Sequence, residues 1–90
     1  QKNITSIGAK LIADALTQNT PKIFGLYLEQ NNIGDEGAKV IADALKTNNT
    51  LTRLELDDNQ ITNTGLLSIS QALKDSENTV LKDLYINGKN

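Results

Sequence analysis

The nine residues Gly37-Ala38-Lys39-Val40-Ile41-Ala42-Asp43-Ala44-Leu45 reproduce Gly8-Ala9-Lys10-Leu11-Ile12-Ala13-Asp14-Ala15-Leu16 with one change, Leu11 to Val40, at an offset of 29 residues. A third, more divergent copy runs from Gly65 through Ile69 and Ala72 to Leu73, 28 residues after the second. A chain that repeats at this period is expected to fold as stacked copies of one unit. No unit of that size closes a core alone, so each buries its apolar side on its neighbours.

Fixing the glycines aligns the rest. Ile23, Leu26, Leu28, Asn31 and Ile33 reappear as Leu51, Leu54, Leu56, Asn59 and Ile61, so each copy reads LxxLxLxxNxIxxxG and then a helix. Leu81, Leu84 and Ile86 open a further strand. In Leu26-Tyr27-Leu28 and Leu54-Glu55-Leu56 apolar residues alternate with others, the period of a strand with one buried face. Tyr27 and Glu55 therefore point away from the core. Past the asparagine the spacing turns helical, and Val40, Ile41, Ala44 and Leu45 form one apolar stripe.

This pattern resembles the leucine-rich repeat, specifically the ribonuclease-inhibitor-like subclass found also in NOD-like receptors and Ran GTPase-activating proteins. The resemblance covers essentially the whole chain. It implies an α/β leucine-rich-repeat solenoid, a horseshoe segment with parallel strands on the concave face and helices on the convex face. A single domain is expected over residues 1–90, divided into a partial repeat 1–22, repeats 23–50 and 51–80, and a partial repeat 81–90. Arrays of this kind end in polar capping repeats, and none is visible, so the chain is expected to be a segment of a longer array. Its first helix should then expose apolar residues on its outer side. The strand from Leu81 to Ile86 should be an unpaired edge.

Ser6, Asp35 and Asn63 stand two residues before the three glycines and are expected to cap the helices that follow, each accepting a hydrogen bond from a free first-turn amide. Asn31 and Asn59 sit where the chain turns out of a strand. Their amides are expected to form a ladder, bonding backbone groups of their own and the adjacent repeat. The aligned end positions hold Lys2 and Lys89, where the ladder should fail. The polar tracts 17–22, 46–50 and 74–80 are expected to be loops, and Pro21 stands just before a strand, where a missing N–H does least harm. Asn3-Ile4-Thr5 and Asn48-Asn49-Thr50 match the glycosylation sequon, with Asn48 in an expected exposed loop. Without a secretory context the motif is read as loop polarity.

A net charge of −2 without a basic stripe attracts neither a nucleic-acid backbone nor an anionic membrane. No apolar run approaches a membrane span, and the start shows no signal-peptide core. Cysteine is absent, which removes disulfides and zinc–thiolate sites, fits a reducing compartment and points to a cytoplasmic location. It also argues against ribonuclease inhibition itself, since those inhibitors are rich in cysteine. Histidine is absent too, and with it the commonest general base and metal ligand. The nearest carboxylate constellation is Glu55, Asp57 and Asp58. An open sheet face offers neither the further oxygens a calcium site needs nor a pocket to shift a pKa, so the trio is read as a solvated acidic patch. No cofactor and no enzymatic activity are expected.

Scaffold positions barely change between copies, whereas the outward positions of successive strands change from aromatic to charged to aromatic. Variation on a fixed scaffold builds a surface for a particular partner. The expected partner-binding residues are Phe24, Tyr27, Glu29, Arg53, Glu55, Asp57, Lys82 and Tyr85. The aromatics serve as anchors and Arg53 as a charged fork. The expected function is a protein–protein interaction scaffold that binds through the concave strand face. Alternatives are a sensing or regulatory region of a NOD-like receptor or GTPase regulator, an acidic-patch metal binder or enzyme, and a structural spacer that self-associates through its uncapped ends.

Overall fold

A computed structural model describes residues 4–18, 22–75 and 80–86. Three helices alternate with three short strands: α1 (Ser6–Gln18), β1 (Gly25–Tyr27), α2 (Gly34–Leu45), β2 (Arg53–Glu55), α3 (Asn63–Asp75) and β3 (Asp83–Tyr85). The strands form one parallel sheet in the order β1-β2-β3. Equivalent residues stand side by side: Gly25, Arg53 and Asp83; Leu26, Leu54 and Leu84; Tyr27, Glu55 and Tyr85. Each helix packs on the next in the same order, so the chain is an α/β repeat fold.

One apolar core joins the two layers. Leu51, Leu54 and Leu56 from the sheet side meet Leu16 of α1, Ile41 and Leu45 of α2 and Ile69 of α3, all at most 1% exposed. The expected stripe of α2 is buried at Ile41, Ala44 and Leu45, while Val40 is only half-buried.

The recurrence of the Gly-Ala pair in the first two copies has a geometric cause. A Cβ on Gly37 would lie 3.3 Å from the Cβ of Ala9, and one on Gly65 would lie 3.2 Å from that of Ala38. Each alanine thus faces the glycine of the following helix, and the small pair lets the helices approach closely. In the third copy the alanine slot holds Leu66, which is exposed. At the other end, Ile7 and Leu11 of α1 are 76% and 67% exposed and line a shallow hollow with Glu36 and Val40 of α2. Among the described residues, β3 pairs only with β2.

The asparagine ladder is present. Asn31 donates from Nδ2 to the carbonyls of Leu28 (2.9 Å) and Glu29 (3.3 Å) and accepts at Oδ1 from the amide of Ile4 (3.0 Å). Asn59, fully buried, donates to the carbonyls of Leu28 (2.7 Å), Leu56 (3.1 Å) and Asp57 (3.2 Å) and accepts from the amide of Ile33 (3.3 Å). Both side chains therefore satisfy backbone groups of the preceding unit that strand pairing does not reach. Lys2, Pro21 and Lys89 lie outside the described residues.

The caps differ from expectation. Helices α1 and α3 begin at Ser6 and Asn63 themselves, and Ile33 at the start of α2 is already helical (φ −69°, ψ −42°) with no side-chain cap. Asp35 consequently lies inside the first turn of α2, and its carboxylate turns to the next unit. Oδ1 accepts from the amides of Thr62 (2.7 Å) and Gly65 (3.1 Å), and Oδ2 from the Thr62 hydroxyl (2.5 Å). Thr62 Oγ1 also accepts from the amide of Thr64 (3.3 Å), so α3 is capped by Thr62 and by a residue 27 positions earlier.

Asn48 is a second correction, since it is buried, not exposed. It donates to the carbonyl of Leu16 (2.9 Å), near the end of α1, and accepts from the amides of Thr50 (3.0 Å) and Leu51 (2.8 Å). The last carbonyls of a helix have no partner within it, and this amide supplies a donor. A glycan on Asn48 is incompatible with that burial.

Candidate protein-interaction surface

The uncovered face of the sheet is built from residues on either side of the buried leucines. On β1, Gly25 makes room for the ring of Tyr27: a Cβ there would lie 3.0 Å from Cε2 and 3.1 Å from the hydroxyl oxygen. The ring lies across Gly25, and Tyr27 remains 54% exposed.

On β2, Arg53 occupies the centre. Its Nε donates to Oε2 of Glu55 (2.8 Å), Nη1 stands 3.5 Å from Oδ2 of Asp83, and the guanidinium carbon lies 4.8 Å from the centre of the Tyr85 ring. The hydrogen bond to Glu55 pushes the guanidinium pKa up, partial burial acts against it, and the charges of Glu55 and Asp83 reinforce the rise. The fork expected to reach a partner is thus engaged within the sheet. It orders Glu55 and Tyr85 on the same surface, with a cation–π contact as one of the links.

The parallel ladder continues past the strands, since the amides of Leu28 and Gln30 donate to the carbonyls of Glu55 and Asp57, both at 2.9 Å. Glu29 and Asp57 therefore form the next rung. One carboxylate oxygen of Glu29, Oε1, is shielded from solvent and has no hydrogen-bond donor among the described residues.

Tyr27, Arg53, Glu55 and Tyr85 are gathered on two adjacent rungs, with Glu29 and Asp57 on the third. Phe24 and Lys82 stand one residue ahead of β1 and β3, both exposed, at the entrance of the sheet. The carbonyl of Phe24 accepts from the amides of Thr52 (2.8 Å) and Arg53 (3.2 Å), which fixes this entrance to β2. Asp83 is a participant that the set of eight leaves out. Aligning it with Arg53, its neighbour in register, would have revealed the opposite charges.

The acidic trio does not form one site. Glu55 is held by Arg53, while Asp58 lines a separate hollow with Gln30, Asn31, Asn32 and Gln60 beyond the strand exits. Gln30, Asp58 and Gln60 there have left-handed backbones (φ 62°, 61° and 55°). Among the described residues no three carboxylate, histidine or cysteine side chains converge in a way that could hold a metal. No described helix is long and apolar enough to cross a membrane.

The model of the leucine-rich repeat family matches residues 26–42 and 47–70, the two units that contain Asn31 and Asn59. This chain carries leucine-rich repeats. A solved structure of leiomodin-1 actin-binding site 2 shares 35% identity with this leucine-rich-repeat chain, covers 93% of it and superposes with a TM-score of 0.82. The chain spans 47% of that structure's length. No curated protein matches it.

Proposed function

We propose that these leucine-rich repeats form a non-catalytic, cytoplasmic protein-binding module that takes its partner on the open face of the sheet. The face would be the concave side of a solenoid. The observation that carries this reading is the ordered cluster on β1–β3, where an exposed Tyr27 ring lies over Gly25 beside an Arg53–Glu55–Asp83–Tyr85 assembly. Rigid aromatics and an oriented guanidinium are what interface anchors are made of.

Actin is the first partner to test, because the similar leiomodin-1 structure is named for an actin-binding site. Three strands span only about 10 Å across the sheet, against roughly 800 Å² per partner in a stable interface, so the contact by this face alone is weak. Binding to monomeric actin, followed by fluorescence of labelled actin, and to filaments, followed by co-sedimentation, tests the partner. A Tyr27→Ala, Arg53→Ala double variant that is still folded should lose the signal. Unchanged binding by that variant would move the site off the sheet, and no binding by the wild type would remove actin as the partner.

A further inference from the structure

Among the described residues the two most exposed large apolar side chains, Ile7 and Leu11, stand one turn apart on α1. With Ser6 and Lys10 of the same helix and Glu36 and Val40 of α2 they line the hollow between the two helices. The repeat itself does not ask for apolar residues at both places. The equivalent positions hold Glu36 and Val40 in α2, then Thr64 and Ser68 in α3. Exposed apolar area gathered at one spot marks an interaction surface. Val40 is half-buried between the helices, and one charge of each sign stands at the rim, Lys10 on α1 and Glu36 on α2. Among the described residues Glu36 forms no ion pair. Lys10 holds Asp14 of its own helix at 3.4 Å, with both side chains more than half exposed. A surface pair of this kind contributes little and leaves the ammonium open to a second carboxylate.

A patch with an apolar centre and opposite charges on its two sides is complementary to itself. Turned about a two-fold axis, each charge of one copy meets the opposite charge of the other. We propose that this hollow is the contact between two copies of the chain, with α1 of each laid on α2 of the other. Ile7 and Leu11 of one copy cover Val40 of its partner, and Lys10 meets Glu36 across the contact. Both sets of contacts form twice. Farther along the same groove stand Asp14 and Asp43, so the copies meet over the first halves of the helices and part beyond them. A contact of that extent falls below the roughly 800 Å² per partner of a stable interface, which makes the association weak and concentration-dependent. The helix layer lies across the core from the sheet, so the pair leaves both sheets open and presents two of them at once. Pairing through the helices is independent of what the sheets bind.

Sedimentation velocity of the whole chain at low salt, from about 10 μM to about 1 mM, is the test. The wild type should pass from monomer to dimer over this range. Ile7→Ser and Leu11→Ser, shown to be folded by far-UV circular dichroism, should each weaken the dimer on the order of 10-fold. Lys10→Glu alone sets carboxylate against carboxylate at both contacts, and Glu36→Lys alone sets ammonium against ammonium, so each should sediment as a monomer. An equimolar mixture of these two variants restores two opposite-charge pairs and should dimerise again, as a heterodimer. A wild type that is monomeric throughout would overturn the pairing. So would a dimer indifferent to Ile7→Ser and Leu11→Ser, which would place the association on another surface such as the edge of β3, or a mixture of the two charge variants that stays monomeric.

Discussion

The carboxylate of Asp35, in the first turn of α2, accepts hydrogen bonds from both the amide (2.7 Å) and the hydroxyl (2.5 Å) of Thr62, at the head of α3. A third bond from the amide of Gly65 (3.1 Å) makes Asp35 a cap for the helix of the following unit. Successive units are thus joined by more than apolar contact, since a charge on one satisfies the free amides and complements the positive N-terminal end of the next.

Asp35 gives the fold an acid-sensitive link. Its hydrogen bonds, that from the Thr62 hydroxyl foremost, hold its pKa below the ordinary carboxylate value, with desolvation acting in the opposite direction. A depressed folded-state pKa contributes stability that is present above the unfolded-state value and lost as pH falls through the folded one. Urea midpoints of the wild type should therefore drop more steeply below about pH 4 than those of Asp35→Asn. Parallel curves would show that the carboxylate contributes nothing to stability.

Gly65 is required by the same contact. A Cβ there would fall 2.5 Å from Oδ1 of Asp35 and 2.8 Å from Cγ2 of Ile61. Gly65→Ala should destabilise by about 1–3 kcal/mol through overpacking, although alanine is the better helix former by about 1 kcal/mol. In an Asp35→Ala background the loss should shrink. Chemical denaturation of the wild type, the two single variants and the double variant gives the coupling, and a Gly65→Ala protein as stable as the wild type would exclude the clash.

Asn59→Ala should cost about 3 kcal/mol or more, because it leaves the buried carbonyl of Leu28 and the buried amide of Ile33 without this side chain. Asn63→Ala, at an exposed first position of α3, should stay within about 0.5 kcal/mol. Equal urea midpoints for the two variants would show that the ladder is not a source of stability.

Leu56→Ala and Leu28→Ala, at side chains 0% and 5% exposed, should each destabilise by about 2–5 kcal/mol. Tyr27→Ala, on the opposite face, should lose far less. A thermal melt that ranks Tyr27→Ala with Leu56→Ala would mean that Tyr27 packs into the fold and is not an available anchor.

Hydrogen exchange should be slowest in β2, which is paired on both sides, and faster in β3 and α1, which among the described residues have neighbours on one side only. Uniform protection across β2, β3 and α1 would show that the units open only together.

The sequence by itself determined the unit, the side of each strand that is buried, the helical stripe and the two ladder asparagines. Those features rest on spacings of two to four residues and on positions repeated at one period, which are local and survive from copy to copy. The tertiary structure alone decided where the long polar side chains go. Asp35 caps the helix of the next unit and not its own, Arg53 is held by Glu55 and Asp83, Asn48 turns inward to Leu16, and the Tyr27 ring settles over Gly25. Most of these contacts run between units, with partners about one repeat away, and their geometry depends on how closely and in what register the units stack. That closeness is set by small pairs such as Ala9 with Gly37 and Ala38 with Gly65, whose effect appears only when the helices are side by side.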